Sequence, residues 1–516
     1  MAVTILPSAP TAQAQASSVE DEGADCPVPP GSTVNDSLLP DPFLTVSGVR
    51  ITTREQWRCR RAEIRELAEQ FVYGQKPVPD SVTGTVSSNS ITVNVTDNGR
   101  SASFSASVQL PGGSGPFPAV IVFGGFGADT GTILSSGAAV INYNPITVGA
   151  EGTPRNNKQG AFYSIYGSNS STGLLMAWAW GVSRIIDVIQ QSGGNILRTD
   201  IGVTGCSRYG KGAFVAGAFD QRIGLTMPIE SGSAGAPIFR GIPGESGAQP
   251  LSSAYGEQPW LGDAFGSFTG NPSALPVDTH EIVGMIAPRG LFIMENPHID
   301  WLASRSGSVA ALGGREIYTA LGAQSNISYI SNVQNGTHCA NRPEWQGPMQ
   351  QSIARFLRGT GSAPGVFSIH PNKAGDLGQW RNWTTPILGG GPSTPPSTPP
   401  STPPSPPPST PPTSSPPPVG GGCTATLSLN QWQDGFVATI RVSAGATPVN
   451  GWTVTLTLPP GATITNGWNA DRSGNTGTVQ FTNVSWNQVI QPGQAIEFGF
   501  QATGNGAGMD PSCTAG

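Results

Sequence analysis

Cys206 and Ser207 stand side by side in Val203-Thr-Gly-Cys-Ser-Arg-Tyr-Gly-Lys-Gly-Ala213, between an apolar run that predicts a strand and a glycine-rich turn. Either side chain could be a nucleophile: the hydroxyl if a base takes its proton, the thiol if it is free and its pKa is lowered. The usual serine-hydrolase elbow is G-x-S-x-G, and Gly205-Cys206-Ser207-Arg208-Tyr209-Gly210 carries one residue more before its second glycine. The cysteines help to choose. All six, at 26, 59, 206, 339, 423 and 513, are scattered without C-x-x-C spacing. That even number suits disulfides in an oxidising compartment better than a zinc site, which argues against a free thiol at 206 and favours Ser207.

A serine nucleophile needs a base, and the base needs an acid to orient it. Of the four histidines, His280, His298, His338 and His370, His338 lies in the turn-rich "QNGTHCAN" directly after the strand-like "NISYISNV". A late loop is where the order serine, acid, histidine places its base. His338 abuts Cys339 as Ser207 abuts Cys206. A Cys206–Cys339 bridge would therefore set the two beside each other, because bridged Cα atoms lie only ~4.4–6.8 Å apart. Cys423 and Cys513 bracket the C-terminal segment and most simply pair together; Cys26 and Cys59 then remain for each other. For the acid, Glu230 closes the strand-like "GLTMPIE" and Glu295 closes "GLFIMEN", with Asp300 nearby. The later position is the commoner one for the acid, whereas the small residues of "PIESGSAG" leave Glu230 accessible, so both stay open.

These residues need a scaffold that brings strand ends together. "FPAVIVFGG" (117–125), "TDIGVTG" (199–205), "GLTMPIES" (224–231), "RGLFIMEN" (289–296) and "NISYISNV" (326–333) are short apolar runs, and 172–192 has the sustained apolar pattern of a buried helix. Another helix is expected to begin near Lys211. The alternation predicts a doubly wound, mostly parallel α/β sheet, whose ligands bind at the carboxyl ends of the strands. Residues 389–422 form a Pro/Thr/Ser run between glycines, an extended spacer without the apolar mass for a core. Beyond it, 423–516 alternates β-branched and polar residues between turns, the pattern of an all-β sandwich.

The chain thus divides into a leader (1–25), a body (26–388), a linker and a module. The leader carries an Ala-Gln-Ala pattern within its first 16 residues and reads as the remnant of a signal peptide, which implies secretion. No run approaches the ~18 apolar residues of a membrane span. With charged residues at 11 %, a net charge of −6 and no Lys/Arg cluster, nucleic acid is not an expected partner.

Together, "VTGCSRYGKGAFVAGAFDQRI", "PIESGSAG", "MAWAWGVSRIIDVI", "NPHIDWL" and "GTHCA" resemble the glucuronoyl esterases of carbohydrate esterase family 15, over nearly all of 26–388. The resemblance implies an α/β-hydrolase fold with Ser207 as nucleophile, His338 as base and then acid, and Glu230 as the orienting acid. Some relatives draw the acid from the later strand, which keeps Glu295 in reserve. It also implies that Arg208 stabilises the oxyanion and that Lys211, Gln249, Glu257 and Trp301 contact the sugar, while Trp178 and Trp180 pack the helix. The implied substrate is the ester between 4-O-methyl-D-glucuronic acid on xylan and a lignin alcohol, with no metal or cofactor. The module resembles family 2 carbohydrate-binding modules, which implies a cellulose platform of Trp432, Trp468 and Trp486 and a core role for Trp452. Four tryptophans against six charged side chains in 94 residues favour stacking on sugar rings over ionic binding. A monomer is expected. The competing readings are a broader carbohydrate carboxylesterase, such as an acetyl xylan esterase, and a non-catalytic cellulose-binding protein.

Overall fold

The computed structural model describes residues 17, 19–389, 422–432, 435–484, 487–492 and 494–515, without the side chains of 430, 432, 466 and 468. The linker between 390 and 421 lies outside the described residues. The chain forms two compact units that divide within that linker, each considered by itself.

The first unit is built on a ten-stranded sheet: β1 (Ser81–Val86), β2 (Ser90–Asp97), β3 (Arg100–Gln109), β4 (Phe117–Phe123), β5 (Ala139–Tyr143), β6 (Leu197–Cys206), β7 (Ile223–Ile229), β8 (Gly290–Met294), β9 (Ile327–Ile330) and β10 (Phe367–Ser368). Their spatial order is β1-β2-β3-β5-β4-β6-β7-β8-β9-β10. β1, β2 and β3 form an antiparallel meander that joins β5 antiparallel; from β5 to β10 every pairing is parallel. The meander is absent from the sequence reading, although "ITVNVTDNGRSASFSASV" alternates cleanly around Asn98-Gly99, both at positive φ (48° and 73°), as a two-residue hairpin turn requires.

Register is what positions the site. Cys206 is level with Ile229, Ile229 with Met294, and Met294 with Ile330. The residues that follow, Ser207, Glu230 and Glu295, therefore leave the sheet along one edge. Two backbone bonds stitch this edge: Glu230 N–H donates to the Met294 carbonyl (2.7 Å) and Glu295 N–H to that of Ile330 (2.9 Å). β7 is buried along its whole length, as a central strand covered on both faces must be. The helix Leu174–Gln191 covers one face, with Trp178 and Trp180 fully buried in its core.

Residues 19–25, counted with the leader in the sequence reading, are packed onto the body. Glu20 sits among Lys76, Arg184 and Arg222, while Asp21, Glu22 and Asp25 pair with Arg65, Arg61 and Arg58. A mostly covered carboxylate among three cations anchors the segment, because separating it would leave the buried cations unpaired. The Cys26–Cys59 bridge fastens the same segment to the helix Arg54–Ala68.

The second unit holds two four-stranded antiparallel sheets. One runs Cys423–Trp432, Gly435–Ala444, Ala495–Thr503, Thr463–Trp468; the other runs Asp471–Arg472, Thr478–Thr482, Trp452–Thr457, Ser512–Ala515. Alternate residues of these strands, among them Phe436, Ile440, Val454, Phe481, Phe498 and Phe500, fill one core. Trp452 belongs to it, stacked on Phe498 at 5.2 Å. Cys423 bonds to Cys513. Trp486 and the side chains of Trp432 and Trp468 lie outside the described residues.

Candidate active site

Ser207 has φ 61° and ψ −127°, a conformation that L-residues rarely adopt, and it caps the helix Arg208–Phe219. The helix starts three residues before the expected Lys211, because this one strained residue makes the whole turn from strand to helix. Glycine is required around it. A Cβ at Gly205 would lie 2.7 Å from the Tyr209 carbonyl oxygen and one at Gly210 would lie 2.5 Å from that of Ile229. Ser207 N–H donates to the Ile229 carbonyl (2.9 Å), so the amide next available for an anion is that of Arg208, the first of the helix.

Cys206 and Cys339 are bridged, with Cα atoms 5.8 Å apart. The bridge sulfurs, the Glu230 carboxylate and the His338 ring lie within 4.8 Å of one another. Sulfurs bonded to each other are not thiolates, so this cluster lacks the donor chemistry of a metal site. His338 Nδ1 bonds to Glu230 Oε2 (2.5 Å), and Cys339 N–H donates to the same oxygen (2.9 Å). Glu230 Oε1 accepts from Arg342 Nη2 (3.2 Å) and Asn296 Nδ2 (3.4 Å). Glu230 is fully buried, whereas the His338 side chain is 30 % exposed, so the imidazole bridges the interior and the surface. Among the described residues no hydrogen bond joins Ser207 Oγ to His338.

Glu295 is placed differently. It too is fully buried, yet what donates to it comes from Ser231, the backbone and Oγ at 3.5 Å, and its Oε2 has no partner among the described residues. Burial first, and the Glu230 charge second, push its carboxyl up to about 8, while Lys211 opposes them. The Lys211 ammonium donates to the carbonyls of Ser231 (2.5 Å) and Ser233 (2.7 Å), and burial pulls it down to about 8. It lies 5.4 Å from the centre of the Trp260 ring.

Arg208 reaches outward, where Nη1 meets Glu151 Oε2 (2.9 Å) and the guanidinium lies 6.0 Å from the centre of the Trp260 ring. Trp260 Nε1 donates to the other Glu151 oxygen (2.7 Å). Gln249 Nε2 donates to Glu257 Oε2 (2.8 Å), and Gln249 N–H to the Trp301 carbonyl (3.2 Å). Trp301 is 54 % exposed and its ring stands edge-on to His338 at 6.1 Å. An exposed aromatic beside a base offers a flat apolar surface to a sugar ring.

The model of fungal glucuronyl esterases matches residues 93–322. The 4-O-methyl-glucuronoyl methylesterase of Thermothelomyces thermophilus is 40 % identical over 359 residues, covering 68 % of this chain and 88 % of that protein. The chain belongs to the glucuronoyl esterases. The enzyme of the same name from Hypocrea jecorina is 38 % identical over 71 % of this chain and 80 % of its own. Among solved structures, the glucuronoyl esterase of Sporotrichum thermophile superimposes with a TM-score of 0.66 at 40 % identity, over 70 % of this chain and all of that one. A serine-to-alanine variant of it, solved with methyl 4-O-methyl-β-D-glucopyranuronate, matches with the same TM-score at 39 % identity. A cellulose-binding domain model matches residues 423–515.

In this glucuronoyl esterase the structure brings Ser207, Glu230, His338 and Trp301 to one edge, with Lys211 buried beneath the 231–233 turn and Gln249 and Glu257 joined beside Trp301. Sequence reasoning missed Glu151, Trp260, Asn296 and Arg342. Arg342, four residues beyond His338, carried the one available signal, a cation in the loop of the base.

Proposed function

We propose that this glucuronoyl esterase hydrolyses the ester joining the C6 carboxyl of a 4-O-methyl-D-glucuronic acid branch on xylan to a lignin alcohol. The observation that carries the reading is the Cys206–Cys339 bridge, which sets the strained Ser207 beside the hydrogen-bonded His338–Glu230 pair. The names of the curated relatives and the uronate ester bound by the solved variant support the choice of substrate. Ser207 Oγ attacks the C6 carbonyl as His338 Nε2 takes its proton. The Arg208 amide, at the positive end of its helix, receives the oxyanion. The alcohol leaves with the proton from His338, and water, activated by the same imidazole, frees the glucuronate and restores Ser207. Glu230 holds the ring throughout. Lys211, Gln249, Glu257 and Trp301 hold the sugar.

The working enzyme is read as a secreted monomer: a body (26–388) joined by the 389–422 spacer to a module (423–516) that lays Trp432, Trp468 and Trp486 on cellulose. Among the described residues no helix is long and apolar enough to cross a membrane.

The test compares benzyl glucuronate, methyl galacturonate and acetylated xylan as substrates for the wild type and Ser207→Ala. Cleavage of the glucuronate ester that Ser207→Ala abolishes is expected; preferential release of acetate would move the enzyme to the acetyl xylan esterases. Deleting 423–516 should remove retention on crystalline cellulose and leave hydrolysis of the small ester intact.

A further inference from the structure

Two carboxyls, Glu230 and Glu295, leave adjacent parallel strands at the same level and are both fully buried. Only one reaches the base. What separates them is Arg342, whose side chain is 1 % exposed and whose guanidinium faces three ways. Nη1 donates to the backbone carbonyl (2.9 Å) and side-chain oxygen (3.0 Å) of Asn335. Nη2 donates to the Thr337 carbonyl (2.6 Å), one residue before His338, and to Glu230 Oε1 (3.2 Å). The guanidinium also lies 5.1 Å from the centre of the Trp345 ring. Asn296 repeats the link more weakly, its Nδ2 lying 3.4 Å from Glu230 Oε1 and 3.5 Å from the Thr337 carbonyl. A planar fork can hold a carboxylate and a loop at once in a way that a lysine ammonium cannot.

We propose that Arg342 is the positioning residue that selects Glu230 over Glu295 as the working acid, by clamping the His338 loop and the Glu230 carboxylate to one guanidinium. The proposal rests on the Ser207–His338–Glu230 reading above. The groups facing Glu230 are His338, Arg342, Asn296 and the Cys339 amide, with Glu295 beside it and Lys211 beyond. Arg342 is the cation bonded to Glu230, whereas Glu295 has the charge of Lys211 nearby and no bonded cation among the described residues. Adjacent buried carboxyls commonly hold one carboxylate and one neutral acid, and the carboxyl pushed up here is that of Glu295.

The test measures kcat, KM and the pH profile of kcat/KM on a methyl or benzyl glucuronate ester. Arg342→Gln should lower kcat at least about 30-fold with KM within about twofold, since it touches no substrate. Removing a buried positive charge from beside the acid–base pair should also move the acid limb of the profile to higher pH. A purely structural role would lower the plateau and leave the limb in place. Arg342→Lys should restore the limb, which needs charge, and recover only part of kcat, which needs the fork. In a Glu230→Gln background, Arg342→Gln should cost less than about threefold more, because its partner is already gone. Wild-type kcat in Arg342→Gln, an unmoved limb, or full additivity with Glu230→Gln would each overturn the proposal. If Arg342→Gln does not fold, Arg342→Lys decides: unchanged kcat overturns the proposal, and a fall of about fivefold or more at unchanged KM supports it. Inactive wild type on the ester would instead overturn the underlying reading, a different result.

Discussion

The ends of β7 and β8 begin alike and finish as different chemistry. Each closes a buried parallel strand with a glutamate whose amide is bonded to the next strand. At β7 the Glu230 carboxylate receives an imidazole, an amide, a guanidinium and a carboxamide; at β8 the Glu295 carboxyl meets only Ser231, its backbone and a distant hydroxyl, with Lys211 as a nearby charge, and keeps an oxygen without a partner among the described residues. The loop 335–342 makes that difference, because it arrives over β7 bringing His338, Cys339 and Arg342 together. Burial does not tell these two carboxyls apart; the donors delivered to them do.

The largest expected effect breaks the β7 side. Glu230→Gln should lower kcat about 10³- to 10⁴-fold on a glucuronate ester, in the range found when the acid of a serine triad is neutralised. Equal activity of Glu230→Gln and wild type would move the acid role to Glu295. Next, the double replacement Cys206→Ala/Cys339→Ala frees the loop that serves β7. It should cost about 2–4 kcal/mol in unfolding free energy by denaturant titration and about 10- to 100-fold in kcat, as the base loses its fixed distance from the nucleophile. On the β8 side, Glu295→Gln replaces a neutral acid by its neutral isostere and should keep kcat within about threefold near pH 7.

The smallest effect sharpens the comparison through stability. Glu295 is raised from 4.5 to about 8. Between those values the unfolded chain has released a proton that the folded chain keeps, so this group's contribution to stability falls as pH rises from 4.5 to 8 and is level above. Glu295→Gln removes that dependence. Its melting temperature relative to wild type should climb across the window, to a gain of about 2 °C or more at the upper end. A constant difference across the window would show that Glu295 is already ionised in the folded protein.

Much of this was readable in the chain. The adjacency of Cys206 to Ser207 and of Cys339 to His338 encodes proximity that no periodicity could supply, and the apolar runs announce β4 and β6 to β9. The acid, Glu230, was implied only by the family resemblance and not by the residues themselves, because two strands end in the same signal and the contacts that distinguish them come from a loop about 110 residues beyond Glu230. Arg342 was invisible for the same reason: its meaning lies in the fold of its own loop. The meander β1–β3 was missed despite its Asn-Gly turn, since attention to apolar runs overlooks strands with one solvated face. The packing of 19–25 was hidden by its acidic composition, which reads as tail until its cationic partners are known.

The glycine loop after β4 has a practical consequence for handling the enzyme. A Cβ at Gly127 would lie 2.6 Å from that of Cys206 and 2.8 Å from that of Cys339, so bare backbone is pressed against the bridge like a lid. Cys206 is wholly buried and Cys339 is 7 % exposed. A small thiol in the storage buffer should therefore leave the native enzyme working, and inactivation by reductant should follow the rate at which the fold opens rather than the reductant concentration.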